Sequence, residues 1–268
     1  MKSRILMFVC IFLSARYSFA NPQPLSNSQQ KGLDIATEAD KRNDGFVDNK
    51  AVMTMILRDK RGKESTRLLQ VRNLEGGEES ENGDKSLMIF DTPRAQKGSA
   101  LLTYSYKSKP DDQWVYLPAA KRVKRIVSRA KSGPFVGSEF AFEDFNSPEV
   151  EKYRYNYLKD EVVAGSQCYV VERYPTDKSS GYKRQRVWLD KKELRVFKID
   201  FYDRKDSLLK TLIASEYSLY LERFWRSKNQ MMTNHQTGKS TELKFSDFQF
   251  RVGLKEADFS INSLKRAR

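Results

Sequence analysis

Hydrophobic and polar residues alternate along most of the chain, with the period of two that a half-buried β-strand requires. In residues 49–58, for example, Met53, Met55 and Leu57 fall on one face of the predicted strand. Turn residues such as Gly62 separate one alternating segment from the next. About a dozen strands are therefore predicted, over residues 49–58, 65–73, 86–91, 98–106, 113–117, 121–127, 153–163, 167–174, 182–190, 195–202, 207–217, 224–234 and 240–250.

Helical patterns are predicted in two short parts of the chain. Residues 30–43 place Leu33 and Ala39 on one side, and residues 138–145 suit one or two helical turns that Ser138 would cap. No helix follows each strand, as it would in a parallel sheet. The pattern predicts a mainly β fold, a large curved antiparallel sheet or half-open β-barrel with short helices plugging its mouth.

The N-terminal residues have the features of a signal peptide. Lys2 and Arg4 precede an apolar run over residues 5–13, and the small residues around Ala20 suit a signal peptidase. The apolar run is shorter than the roughly 20 residues that span a bilayer. We therefore expect export to the periplasm, cleavage after Ala20 and one mature domain over residues 21–268, beginning with a loose polar lead.

Cysteine content and charge restrict the partners of an exported chain. Without the leader, which contains Cys10, the remaining Cys168 allows no intrachain disulfide and suits a buried strand position. Lys and Arg number 49 against 35 Asp and Glu, a formal net charge of +14. Nucleic acid is the usual partner for such a charge, but export argues against it. Anionic lipid head groups or an acidic membrane protein fit better.

The sequence lacks the common motifs of catalytic, cofactor and metal sites. Its single histidine, His235, lies next to a predicted turn, and no nucleophile elbow, phosphate-binding loop or zinc-type cluster occurs. Glu143 and Asp144 are the best candidate carboxylate pair, and their simpler interpretation is pairing with nearby Lys or Arg. We expect no catalytic residue, no metal and no cofactor; a hydrolase with an unrecognised carboxylate pair is a remote alternative.

Residues 113–145 carry the most distinctive motif. Trp114 begins the run W-V-Y-L-P, a basic return strand begins at Lys121, and the run G-S-E-F-A-F-E-D-F begins at Gly137. This series resembles the LolA-like outer-membrane lipoprotein-sorting protein family, whose members pair a W-x-Y-L-P strand and a basic strand with a G-S-[DE]-F-x-[YF]-E-D segment. The resemblance extends from about Lys31 to Leu264.

Large apolar side chains on the predicted strands are candidates for a ligand cavity. A packed core is the alternative for each of them. A wide sheet covered by short helices can enclose a cavity, and Met and aromatic side chains repack easily around an acyl chain. The resemblance implies this use, because relatives hold acyl chains beneath a helical lid. The candidates are Met53, Met55, Leu69, Ile89, Leu102, Tyr104, Trp114, Tyr116, Trp188, Phe197 and Phe201.

The lid and a docking surface are predicted from neighbouring segments. Phe140, Phe142 and Phe145 form the candidate lid, in a segment bounded by Gly and Pro residues that can act as hinges. Basic residues of the return strand are candidates for docking on a partner or a membrane; protection of an edge strand is the alternative. These residues are Arg122, Lys124 and Arg125.

The resemblance implies a function in lipid or lipoprotein transport. The expected protein is a periplasmic carrier that binds acyl chains in a hydrophobic cavity and passes them between membrane-bound partners. Relatives are often associated with large inner-membrane export pumps, which suggests such a transporter as partner, with transient membrane-surface contact. The alternative is a periplasmic lipid-responsive sensor or adaptor resembling RseB.

Overall fold

The computed structural model describes residues 24–77 and 81–266, so the predicted leader lies outside the described residues. Within these ranges the chain forms α1 (Asn27–Asn43), α2 (Ile261–Arg266) and one sheet of thirteen strands. The strands are β1 (Asp48–Arg58), β2 (Glu64–Leu74), β3 (Asn82–Thr92), β4 (Ala100–Tyr106), β5 (Asp112–Leu117), β6 (Arg122–Arg125), β7 (Tyr153–Val163), β8 (Ser166–Pro175), β9 (Tyr182–Asp190), β10 (Val196–Asp203), β11 (Leu208–Tyr220), β12 (Phe224–Asn234) and β13 (Ser240–Phe250).

Strands that are consecutive in sequence pair antiparallel, with one exception. Strand β1 pairs with both β2 and β13, which joins the meander β1–β6 to the meander β7–β13. As a result β6 and β7, which follow each other in the chain, lie at opposite edges of the sheet. The predicted mainly β fold with a large curved antiparallel sheet is confirmed.

The inner face of the sheet holds the main hydrophobic core. Met53, Met55 and Leu69 are almost completely buried in it. Leu101 belongs to the same core, whereas Leu102 packs in a second cluster on the outer face, because successive side chains of a strand point to opposite faces. Strand β4 is therefore apolar on both faces.

The C-terminal segment covers the outer face of β4 and β5. After β13 the chain forms a 3-10 turn, Glu256–Phe259, and then α2. Phe259 and Leu264 are fully buried against Leu102, and the hydroxyl of Tyr104 donates a hydrogen bond to Phe259 O. The C-terminal segment thus supplies the second layer that this outer apolar face needs.

Helix α1 begins at Asn27 rather than at residue 30 as the sequence predicted. Ser26 and Gln29 form a capping box, in which Gln29 N donates to Ser26 Oγ (3.3 Å) and Ser26 N donates to Gln29 Oε1 (2.9 Å). Part of the segment that we expected to be a loose lead is therefore helical.

Gly32 allows α1 to approach β7 closely. A Cβ atom at this position would lie 2.8 Å from Tyr157 N and 3.0 Å from Asn156 N. Both are backbone atoms of a paired strand, so neither can move aside without disturbing β7. The position of the helix on the sheet thus depends on a residue without a side chain.

We expect Gly32→Ala to destabilise the protein by about 1–3 kcal/mol, because the added methyl group forces α1 away from β7. This loss would occur although alanine is the better helix former by roughly 1 kcal/mol. Urea denaturation measures the change, with Thr37→Ala on the exposed side of the same helix as the control. A Gly32→Ala protein as stable as the control would show that α1 does not pack this closely.

Candidate functional site

Residues 126–152 connect β6 to β7 and cross the inner face of the sheet between its edges; we call them the crossing segment. Hydrogen bonds tie this segment to strands of both meanders. Arg67 of β2 donates to Val136 O, and Glu139 N donates to Thr241 Oγ1 of β13 (3.0 Å). The crossing segment is therefore fixed to the middle of the sheet and not only at its two ends.

A buried ion pair between Lys210 and Asp144 holds the crossing segment on β11. Nζ of Lys210 lies 2.7 Å from Asp144 Oδ2 and 2.9 Å from Glu139 O, and both charged side chains are almost fully buried. Asp144 also accepts hydrogen bonds from Tyr182 OH (2.8 Å) and Ala141 N (2.7 Å). Burial and the charge of Asp144 raise the pKa of Tyr182 well above its usual value, so its phenol remains a donor.

Glu143, next to Asp144, fixes the loop between β8 and β9 instead. Its carboxylate accepts hydrogen bonds from Ser180 Oγ (2.7 Å) and Gly181 N (2.8 Å). Burial raises the pKa of Glu143. The sequence interpretation of this pair, carboxylates that meet Lys or Arg, therefore holds for Asp144, whereas Glu143 binds a loop.

Phenylalanine rings of the crossing segment fill the space over the inner core. Phe135 is fully buried, and its ring centroid lies 4.8 Å from that of Phe145 and 5.5 Å from that of Phe142. Phe140 extends the cluster, with its centroid 5.7 Å from that of Phe145. Phe90 of β3 lies beneath, 5.8 Å from Phe135. We call Phe135, Phe140, Phe142 and Phe145 the aromatic plug.

A cavity of about 750 Å³ lies between α1 and the meander β7–β13. This volume is within the usual range for small-molecule sites, about 300–1,000 Å³. Its apolar lining comes mainly from α1 and from β8 to β10: Ile35, Ala36, Ala39, Val171, Val187, Leu189, Leu194, Val196 and Trp225. Its charged lining residues are of both signs: Glu38, Asp40, Lys41, Arg42, Arg173, Glu193, Arg195, Glu222 and Arg223.

Polar groups along one side of this cavity satisfy one another. Nε of Arg195 lies 2.9 Å from Asp190 Oδ2, and its guanidinium stacks 4.6 Å from the centre of the Trp225 ring. Trp225 Nε1 in turn donates to Glu193 Oε2 (3.2 Å). The charge of Arg195 is thus paired and Glu193 accepts a hydrogen bond, so an apolar ligand beside these two residues would not have to desolvate an unpaired charge.

Glu149 lies beside the end of the cavity that Ser147 and Pro148 line. Burial raises the pKa of Glu149 to about 7, with a further contribution from the negative charge of Asp84 and an opposing one from Lys152. Near neutral pH the carboxyl group is therefore protonated for part of the time.

A solved structure of an outer membrane lipoprotein-sorting protein domain from Vibrio parahaemolyticus is 54% identical to this chain, with a TM-score of 0.86. The match covers 89% of this chain and 100% of that chain. A family model described as "Uncharacterized protein" matches residues 82–266. The chain belongs to the LolA-like outer-membrane lipoprotein-sorting protein family.

Two further solved structures are similar to this member of the lipoprotein-sorting family. A DUF1329 family protein from Desulfovibrio piger is 30% identical, with a TM-score of 0.84. A LolA superfamily protein from Nitrosomonas europaea is 21% identical, with a TM-score of 0.69, and shares the fold. Each match covers 89% of this chain and 100% of the other chain. No curated protein matches the sequence.

The predicted cavity residues of this family member do not lie together. Met53, Met55, Leu69 and Phe201 belong to the inner core beneath the aromatic plug. The others lie in two clusters on the outer face: Ile89, Leu102, Tyr104, Trp114, Tyr116, Trp188 and Phe197. None of the predicted residues lines the cavity under α1. The structure therefore does not bring them together around one cavity, and ligand binding by these residues stays a prediction.

Phe197 shows why alternation along a strand does not always identify the side chains of the inner face. Phe197, Ile199 and Phe201 are spaced two residues apart, so strict alternation places all of them on the inner face. A register shift between Val196 and Lys198 interrupts the alternation in β10. Val196 consequently packs against the inner core and lines the cavity, while Phe197 lies in an outer cluster.

The predicted lid residues Phe140, Phe142 and Phe145 all belong to the aromatic plug. The helical turns predicted over residues 138–145 are shorter than the sequence indicated. Only Phe142–Phe145 forms a 3-10 turn. Ser138 does not cap it, because its hydroxyl group accepts from Phe140 N (3.3 Å) and donates to Phe140 O (3.2 Å). These local hydrogen bonds keep the residues before Phe142 out of a helix.

The predicted docking residues Arg122, Lys124 and Arg125 are exposed on β6, at one edge of the sheet. Arg125 forms an ion pair with Asp112 on the neighbouring strand β5. Protection of an edge strand fits this location at least as well as docking does. Their docking role stays a prediction.

The remaining candidate residues, His235 and Cys168, have surroundings that suit a structural role. Nε2 of His235 lies 2.8 Å from Thr211 Oγ1, and Cys168 is a buried free thiol whose pKa is raised by burial. Across residues 24–77 and 81–266, no group of His, Cys, Asp and Glu is arranged to hold a metal ion. No helix in the same ranges is long and apolar enough to cross a membrane.

We expect Lys210→Met and Asp144→Asn each to cost about 3–5 kcal/mol of stability, because each leaves a buried charge without its partner. The double variant should cost clearly less than the sum, which urea denaturation in a double-mutant cycle measures. Lys183→Met, which breaks the exposed pair with Asp206, is the control and should cost less than about 1 kcal/mol. Strictly additive losses would show that the buried pair does not hold the crossing segment.

Proposed function

We propose that this protein is a periplasmic carrier that holds acyl chains of a lipid or lipoprotein in the cavity under α1. It would pass them between membrane-bound partners. The observation that supports this proposal is the cavity of about 750 Å³ with its apolar lining from α1 and β8 to β10. Membership of a family that includes an outer membrane lipoprotein-sorting protein domain supports a lipidated cargo.

The energetics of acyl-chain burial suit a carrier. Each methylene group removed from water gains about 0.8 kcal/mol. Burial of about ten such groups supplies roughly 8 kcal/mol, from which the loss of ligand freedom must be subtracted. The remaining affinity would hold a chain during transfer and still permit its release to a partner.

Helix α1 is the element that we propose to open for the ligand. Its contact with β7 centres on Gly32 and on Lys31, whose ammonium group lies 3.5 Å from the centre of the Tyr157 ring. Ile35 also packs in the inner core, and Arg42 donates to Lys192 O (2.8 Å). All of these contacts can be broken without unpairing a strand. The crossing segment, in contrast, is held by the buried pair of Lys210 and Asp144.

The aromatic plug remains a proposed second gate. If Phe140, Phe142 and Phe145 moved outward, they would uncover the inner core around Met53 and Met55. A long acyl chain could then extend from the cavity under α1 into the centre of the sheet. This second step requires the buried ion pair to break, so we expect it to be slower than opening of α1.

The cellular setting of the proposal comes from the sequence and the family. The leader-like residues 1–20, with cleavage after Ala20, support export to the periplasm. A large export pump of the inner membrane is the proposed transporter partner, as the family resemblance suggests. The proposed role is binding and transfer, without a catalytic residue or a cofactor.

Tryptophan quenching can locate the ligand, because Trp225 lines the cavity whereas Trp114 and Trp188 lie in outer clusters. We expect a brominated fatty acid to quench the fluorescence of the wild-type protein and of Trp114→Phe and Trp188→Phe. The variant Trp225→Phe should show little quenching while binding the fatty acid equally well. Phospholipid should reverse the quenching by competition.

The result discriminates between ligand locations. Quenching that is lost in Trp114→Phe and retained in Trp225→Phe would place the ligand on the outer face and contradict the proposed site. Absence of binding to a folded wild-type protein would contradict the carrier function itself.

A further inference from the structure

Aliphatic side chains protrude from neighbouring strand ends and connections at one end of the sheet. Val47 and Val252 are close because β1 and β13 pair there, with Asn49 opposite Phe250. The turn between β11 and β12 adjoins them, since the ring of Tyr220 lies 5.4 Å from that of Phe250. The exposed side chains, which we call the apolar rim, are Val47 (50% exposed), Leu219 (45%), Leu221 (51%) and Val252 (38%).

The backbone of the apolar rim is fixed in an unusual conformation. Val47 and Leu221 have φ values of 68° and 48°, in the left-handed region that branched side chains rarely adopt. Hydrogen bonds hold these turns: Val47 N donates to Glu75 Oε2 (2.7 Å), and Val252 N donates to Asp48 Oδ1 (2.8 Å). Exposure of these apolar side chains is therefore a property of ordered turns, and such strain is concentrated at functional sites.

Aromatic rings support the rim from beneath. The ring of Tyr220 lies 5.2 Å from that of Phe248, and the ring of Phe224 stacks 5.8 Å from that of Phe250. Phe224 is almost fully buried, while the other three are partly exposed. The rim and its aromatic base together form a continuous apolar end of the molecule.

Basic side chains flank this apolar end. The exposed residues Arg223 and Arg251 are oriented by hydrogen bonds to the main-chain carbonyls of Lys41 (3.4 Å) and Gly45 (3.2 Å). Glu222 is an exposed acidic residue of the same turn. Removal of Lys2, Arg4 and Arg16 with the predicted leader lowers the net charge from +14 to +11, so the exported protein is still drawn towards anionic surfaces.

The rim also borders the cavity under α1. Lys41, Glu222 and Arg223, which adjoin the rim, line that cavity as well. We propose that the apolar rim docks the protein on an anionic membrane surface. Its aliphatic side chains enter the boundary between head groups and acyl chains, and Arg223 and Arg251 contact lipid phosphates.

A membrane fits these features better than a protein partner. Leu219 and Leu221 flank Tyr220 at the end of β11, Val47 and Val252 lie just outside the paired ends of β1 and β13, and Arg223 and Arg251 border them. Protruding aliphatic side chains bordered by arginines suit a fluid interface that adapts to each side chain. The docking proposal rests on the proposed carrier function in one respect only. The carrier function gives docking its purpose, which is to place the cavity under α1 against the bilayer that supplies or receives acyl chains. Docking itself does not require a ligand in the cavity.

Vesicle flotation tests the apolar part of the rim. We expect the wild-type protein to bind vesicles of phosphatidylethanolamine with phosphatidylglycerol, and Leu219→Gln/Leu221→Gln to bind about tenfold more weakly. Leu208→Gln, at the opposite end of β11 and 37% exposed, is the matched control and should bind as the wild type does. Thermal melting confirms that each variant is folded.

A second pair of variants tests the basic part. Arg223→Gln/Arg251→Gln should weaken binding to the anionic vesicles and reduce its salt dependence, with little effect on phosphatidylcholine vesicles. Arg122→Gln/Lys124→Gln removes the same charge from the edge strand β6 and should leave binding nearly unchanged. A larger loss from the edge-strand pair than from the rim pair would place docking at β6 and overturn the proposal.

The outcomes separate docking from carrier function. Vesicle binding by the leucine variant as tight as that of the wild type, or no binding by the wild type, overturns the proposed docking surface. Binding of a soluble fatty acid is measured beside it, and the leucine variant should retain this binding. Vesicle binding without fatty-acid binding would leave the docking surface standing and contradict the carrier function.

Discussion

The order of the strands is the constraint on which the rest of the structure depends. Because β1 pairs with β13, the consecutive strands β6 and β7 lie at opposite edges, and the chain must cross the inner face to connect them. The crossing segment brings main-chain polar groups into an apolar interior, where each requires a partner. Lys210 and Asp144, with Tyr182 and the amide of Ala141, meet part of this requirement. The buried charges thereby specify one position for the segment.

This crossing decides where space for a ligand remains. The aromatic plug packs over Met53 and Met55, so the centre of the sheet is filled. Beyond the crossing segment, α1 covers the meander β7–β13 and is kept close to β7 by Gly32, yet it leaves a cavity over β8 to β10. The same fold thus combines a centre held by a buried ion pair with a cover, α1, that packs through its side chains and pairs with no strand. A carrier needs both, because it must stay folded while its ligand enters and leaves.

The sequence predicted the strands well, but it could not show which apolar residues lie together in the fold, for physical reasons. Alternation shows which residues of a strand share a face, but it does not show which face is the inner one, so Leu102 and Trp114 were assigned to the wrong side. The bulge beside Val196 is invisible to a periodic pattern. Phe135, the centre of the plug, lies between Pro134 and Gly137, where no period marks it. The α1 cavity was missed because it depends on how a helix and a distant sheet meet.

Native mass spectrometry of the protein purified from its own periplasm tests the central claim most directly. The account predicts a bound species with the mass of a lipid on the wild-type protein. It also predicts loss of that species in Ala39→Phe, which fills the cavity from the inner side of α1, and its retention in Thr37→Phe on the exposed side. A bare wild-type chain, or a lipid retained equally by folded Ala39→Phe, would contradict the claim that acyl chains occupy this cavity.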